Sequence, residues 1–121
     1  MSSYLLSDPA NSFEDELAKL NRQDAKFAGF NLLLLSPTLR DPQALLSFDA
    51  ALVTNHGAGG EIISRPLSND ERLAGGLSNG IDGKGANEWP KVQYGVKYLR
   101  DFLGPNMEEA DLMHHLFELL T

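Results

Sequence analysis

Apolar residues recur along this chain at two different intervals, and the change of interval sets the expected elements. From Asn11 to about Lys26 the interval is helical, with Phe13, Leu17 and Leu20 on one face, as in an amphipathic helix. Asn11 or Ser12 can cap it, with Glu14 or Asp15 at the capping-box position. Glu14, Asp15 and Glu16 place negative charge in the first turn, where the helix dipole favours it. Gly29 breaks the pattern. Phe30 to Leu35 then carries four consecutive leucines, which predicts a strand buried on both faces, stopped by Ser36-Pro37. A loop containing Asp41-Pro42 follows. Phe48–Asn55 and Glu61–Leu67 are the next two strands, joined through Gly57-Ala58-Gly59-Gly60, with Pro66 placing the second strand's end at an edge or terminus. Ser68-Asn69-Asp70 reads as another turn and Leu73–Asn79 as a short fourth strand. Tight turns between apolar runs predict an antiparallel meander.

Beyond Asn79 the pattern returns to helical spacing. Asn79-Gly80, Asp82-Gly83 and Gly85 make a loop up to Glu88. Pro90 suits the first turn of a helix, where a missing N–H costs nothing, and it pushes Trp89 out of the helical region, to the cap. Val92, Val96, Leu99 and Leu103 form the inner stripe, and Gly104-Pro105 ends it. Asn106 is the expected cap of a last helix over 106–120, with Glu109 at its third position and an apolar face of Ala110, Met113, Leu116, Phe117 and Leu120. The order of elements predicts an α+β fold, an antiparallel sheet with flanking helices, in a single domain over 1–121.

Charge narrows the partners. With Lys and Arg numbering 10 against 17 Asp and Glu, the formal net charge is -7, which disfavours nucleic acid and anionic lipid surfaces. The chain has no cysteine, so disulfides, thiol nucleophiles and thiolate metal sites are excluded. The N-terminus lacks a basic segment followed by an apolar one, the mark of a signal peptide, and the run Leu32–Leu35 is far too short to cross a bilayer. A cytoplasmic location is the expectation.

Six features invite chemistry. The glycine clusters at Gly57–Gly60 and Gly83–Gly85 lack the residues and the following helix that phosphate loops require. His114 and His115 point about 100° apart on a helix and cannot chelate one metal together; His114 with Glu118 and Asp111 with His115 have the spacing of surface helix pairs. His56 stands between a strand and a glycine turn, the place of a turn residue that tolerates an unusual backbone angle. Ser2 would become an N-terminal hydroxyl nucleophile if Met1 were removed, although a loop and a helix follow it. Asn31, Asn55, Ser78 and Asn79 sit in or at the ends of strands, where amides hold turns or, converging, furnish a pocket. Trp89 is the natural staple over the loop.

Three motifs in a fixed order carry a family resemblance: Gly29-Phe30-Asn31-Leu32, Gly76-Leu77-Ser78-Asn79 and Trp89-Pro90-Lys91. They resemble the NRDE-domain family of transport and Golgi organisation proteins, most strongly over 27–103. Ile81-Asp82 matches the family's link between the last two motifs, and Gly83–Glu88 resembles an insertion. The resemblance implies part of an αββα sandwich of the N-terminal-nucleophile hydrolase type. It also implies a central fragment, because the family's Met-Cys opening and Asn-Arg-Asp-Glu tetrad are not matched; Asn21-Arg22-Gln23-Asp24 echoes the tetrad only superficially. No catalytic residue is carried over. The family-conforming residues are Asn31, Ser78, Asn79, Trp89, Pro90 and Lys91, with His56 the haem-ligand candidate. The implied role is non-enzymatic, in secretory-pathway and Golgi organisation and in haem trafficking, from a cytoplasmic position associated with Golgi or mitochondria. Haem or another small amphipathic ligand would be cargo, and secretory-pathway proteins would be partners. The alternatives are a hydrolase of amides or thioesters and an inactive structural fragment. A fragment is expected to leave Phe30–Leu35 as an open apolar edge prone to association.

Overall fold

The computed structural model describes residues 11–38 and 47–120. The loop around Asp41-Pro42 and Ser2 lie outside the described residues. The chain divides into two compact units, Met1–Pro66 and Leu67–Thr121.

The described residues of the first unit form a helix and the sheet. Helix α1 spans Phe13–Asn21. Ser12 caps it by accepting the Asp15 N–H at 3.1 Å, and the acidic first turn follows as the sequence predicts. The helix stops short of Lys26, because the Gln23 N–H closes onto the Leu20 carbonyl three residues back, a 3₁₀-type ending. Asn21 Nδ2, at the end of α1, donates to Ser64 Oγ at 2.9 Å.

The sheet is an antiparallel meander of three strands: β1 (Asn31–Thr38), β2 (Ser47–Thr54) and β3 (Ile63–Pro66), in spatial order β1-β2-β3. Asn31 pairs with Thr54 and Thr38 with Ser47 across the first hairpin; Thr54 pairs with Ile63 and Ala51 with Pro66 across the second. The core joins Leu20 of α1 to Val53 and Ile62, with Leu17, Phe27, Phe30, Leu32 and Leu34 packed against them. Each fully buried aliphatic side chain of this kind stabilises the fold by about 1.5–3 kcal/mol.

Two expectations for β1 need correction. Leu32 and Leu34 turn to the core, but Leu33 and Leu35 are 44% and 58% exposed. Successive side chains of a strand point to opposite faces, so a run of leucines does not by itself bury both. Nor does Pro37 stop the strand: β1 runs through it to Thr38, because at the sheet's margin a residue without an N–H breaks no ladder bond.

The second unit is helical. The expected fourth strand at Leu73–Asn79 is absent: among the described residues the sheet ends with β3. Instead Ser68 and Glu71 form a capping box, with Ser68 Oγ accepting the Glu71 N–H and Glu71 Oε2 accepting the Ser68 N–H. This box starts a short helix, α2 (Asn69–Leu73). A 3₁₀ turn over Ala86–Glu88 leads into α3 (Pro90–Phe102), which opens with Trp89 at the cap and Pro90 in its first turn, as predicted. Val92 is buried, Val96 and Leu99 are half-buried, and Leu103 lies exposed just past the helix.

Helix α4 covers Glu109–Leu120. It begins later than the Asn106 cap implies, since its first bond runs from the Leu112 N–H to the Glu108 carbonyl. Its inner face is also rotated from the expected one. Leu112, Leu116 and Leu119 are half-buried, whereas Met113, Phe117 and Leu120 are exposed.

Candidate functional site

In the first unit the Gly29-Phe30-Asn31-Leu32 motif meets the turn after β2. Asn55 is fully buried. Its Oδ1 accepts the Phe30 N–H at 3.0 Å, and its Nδ2 donates to the carbonyls of Phe27 (3.2 Å) and Ala28 (3.0 Å). The Gly59 N–H also donates to the Phe27 carbonyl, at 2.9 Å. Asn55 therefore meets the backbone polar groups of a buried corner that has no ladder to pair with. Gly60 completes it, because a Cβ there would strike the Asn55 carbonyl.

His56 follows Asn55 directly. It is exposed, with φ +52°, a left-handed conformation that histidine adopts more readily than most residues. Its N–H donates to Thr54 Oγ1 at 3.3 Å, so the main chain beneath the imidazole is fixed on both sides. Asn31, one position past the Asn55 contacts, is half-buried and opens β1 opposite Thr54. The Gly57–Gly60 segment leads into β3 and not into a helix, and it has no helix N-terminus to hold a phosphate.

In the second unit five of the family-conforming residues come together where α3 begins. Ser78 Oγ accepts the Gly80 N–H at 3.2 Å. Lys91 Nζ makes a long, 3.5 Å contact to Asn79 Oδ1 and sits 5.0 Å from the centre of the Trp89 ring, within reach of a cation–π interaction. Trp89 is 40% exposed, and Pro90 fixes the backbone that presents it. Gly80 lies against the indole: a Cβ at this position would stand 2.5 Å from Ala86 Cβ and 3.2 Å from the nearer indole carbon. Trp89 thus staples the loop through its edge and offers its face to Lys91. Ser78, Asn79, Trp89, Pro90 and Lys91 form one cluster in this unit, and Asn31 and His56 belong to the other.

A further cluster was not legible in the sequence. Tyr98 of α3 donates its hydroxyl to Glu118 Oε2 of α4 at 2.8 Å, with His115 Nδ1 at 3.4 Å. His114 and His115 each lie 3.3 Å from a Glu118 oxygen, and the His115 ring stacks on Phe102 at 4.7 Å. The Tyr98 hydrogen bond holds the Glu118 carboxyl below its ordinary pKa, helped by the two imidazoles and opposed by desolvation. The same bond raises the Tyr98 phenol above its ordinary value, along with desolvation and the Glu118 charge. The expected pairing of His114 with Glu118 is present; the tyrosine that organises it belongs to another helix. Among the described residues no group of three or more histidine, aspartate or glutamate side chains is placed to hold a metal.

The three motifs are thus each built into a fold-defining corner, and the profile of the Transport and Golgi organisation 2 family matches residues 1–121. The chain belongs to the Transport and Golgi organisation 2 family. The match runs past the 27–103 span that the motifs mark, taking in α1 and α4. No curated protein and no solved structure matches the chain. The three-stranded antiparallel sheet with helices is compatible with part of the sandwich that the Transport and Golgi organisation 2 resemblance implies. Among the described residues no helix is long and apolar enough to cross a membrane.

Proposed function

We propose that this chain is a non-enzymatic member of its family that serves secretory-pathway and Golgi organisation and takes part in moving haem within the cell. Family membership across 1–121 supports the first part. The haem part rests on one observation: an exposed imidazole, His56, carried on a backbone that the buried Asn55 and the Thr54 hydroxyl hold in place. Imidazole is a common axial ligand of haem iron. A single exposed ligand suits cargo that must be handed on, since binding has to be weak enough for release. The setting is the cytoplasm, associated with Golgi or mitochondria, with haem as cargo and not as a resident cofactor.

Titrating haemin into the purified chain and recording the Soret band tests this reading. The expected result is a shifted, saturable band that disappears in His56→Ala and persists when His114 and His115 are both changed to alanine. An unshifted band, or one indifferent to His56→Ala, rules out His56 as the ligand. Turnover of amide or thioester substrates that is lost in Ser2→Ala would replace the non-enzymatic reading with a hydrolytic one.

A further inference from the structure

The loop before α3 holds a dipeptide with chemistry of its own. Asn79-Gly80 is the one place in the chain where asparagine precedes glycine. An asparagine amide can be attacked by the backbone nitrogen of the next residue, and only a residue without a Cβ leaves that approach unhindered. Asn79 is exposed, and the dipeptide forms a bend outside any helix or strand, so no ladder bond restrains the rotation that the attack requires. Two contacts favour it further. Lys91 Nζ, 3.5 Å from Asn79 Oδ1, draws electron density from the carbonyl that must accept the nucleophile. Ser78 Oγ, accepting the Gly80 N–H at 3.2 Å, polarises the bond whose proton must leave.

We propose that Asn79 is a site of spontaneous deamidation, activated by Lys91, which then holds the carboxylate that forms. The Gly80 nitrogen gives up its proton to solvent and forms a bond to Asn79 Cγ. The Cγ–Nδ2 bond breaks, and the side-chain nitrogen leaves as ammonia. Water opens the resulting cyclic imide at either carbonyl, giving aspartate or iso-aspartate at position 79. The sum is asparagine plus water to acid plus ammonia, with no change of oxidation state. In the aspartate product the new carboxylate takes the place of the amide beside the Lys91 ammonium, and a long cation–amide contact becomes an ion pair. The chain becomes one charge more negative than its formal -7.

The fold maintains this vulnerability. Gly80 cannot be exchanged for a residue with a Cβ without displacing Ala86 or the Trp89 indole, which approach to 2.5 and 3.2 Å of the Cβ position. Packing against the tryptophan staple therefore keeps in place the residue that makes Asn79 labile. Asp82-Gly83, three residues on, offers the same ring closure with water as the leaving group, but it returns an acid and leaves the charge unchanged.

The test is to incubate the full chain in mildly alkaline buffer and follow charge by isoelectric focusing and position by peptide mass spectrometry with iso-aspartate mapping. Asn79 is expected to convert first among the asparagines, yielding both aspartate and iso-aspartate. Conversion should be several-fold slower in Lys91→Gln and restored in Lys91→Arg. Conversion in the folded chain should also stay within a few-fold of that in urea. Earlier conversion of another asparagine overturns the proposal, as does protection of Asn79 by folding of an order of magnitude or more. Equal rates in the native chain and Lys91→Gln overturn the role of Lys91.

Discussion

Asn55 and Gly80 show how single residues set the two corners in which the motifs lie. Asn55 has no exposure to solvent and serves three main-chain groups. Replacing it with alanine removes the side-chain partner of the Phe30 N–H and of the Ala28 carbonyl and leaves the Phe27 carbonyl with the Gly59 N–H, at a cost of about 2–4 kcal/mol. Urea unfolding of Asn55→Ala, followed by circular dichroism, is expected to show this loss as a lower midpoint with an unchanged slope. Gly80→Ala forces a methyl group against Ala86 and Trp89 and should cost about 1–3 kcal/mol, as overpacking does, with a shift in the emission of the one tryptophan. Neither role follows from residue type alone. A terminal-strand asparagine was a visible candidate for holding turns, but which backbone groups it serves depends on a loop some 25 residues earlier. His56 was visible for its chemistry; its left-handed backbone is a property of the turn.

At the scale of elements, the strong local signals in the sequence and the structure agree. The Ser12 cap, the Pro90 start, the meander and the helix over Pro90–Phe102 were all present as spacing and punctuation. The departures have physical causes. Ser68-Asn69-Asp70 has the composition of a turn, and the capping box shows only when Glu71 is paired with Ser68; without it the apolar residues that follow have the look of a strand. The inner face of α4 departs from its apolar stripe because Tyr98 and Phe102 of α3 engage Glu118 and His115. That interhelical contact has a pH signature with two limbs. Glu118 has a lowered pKa, so its contribution is complete above the ordinary value of 4.5 and fades as pH falls through the lower folded value. Tyr98 has a raised pKa, so its contribution is complete below 10.0 and fades as pH rises through the higher folded value. NMR titration of the Glu118 carboxyl should give a pKa below 4.5 that moves up in Tyr98→Phe, and the alkaline limb should vanish in the same variant. Solvent screens these exposed groups, so the effect on global stability should be small.

For the molecule as a whole, family membership was legible from three short motifs in a fixed order. The α+β class was legible from the order of intervals. The sequence points two ways for β1, to burial on both faces and to an open apolar edge, and the burial on both faces does not hold. Leu33 and Leu35 are exposed, and exposed leucines on a marginal strand invite association with other chains. Leu33→Lys and Leu35→Lys should change stability by no more than about 0.5 kcal/mol, as exposed substitutions do, while reducing self-association in light scattering at high concentration. An unchanged association would place the contact elsewhere. The same strand poses a subtler problem. When Leu32 to Leu35 are shifted one place against β2, leucine replaces leucine, so oil-and-water alternation cannot tell the right alignment from its neighbour. The three bonds from Asn55, just beyond the last paired residue of β2, are what make an out-of-step hairpin costly. A chain deprived of them would fold into a mixture of near-identical ribbons, each greasy on a different side.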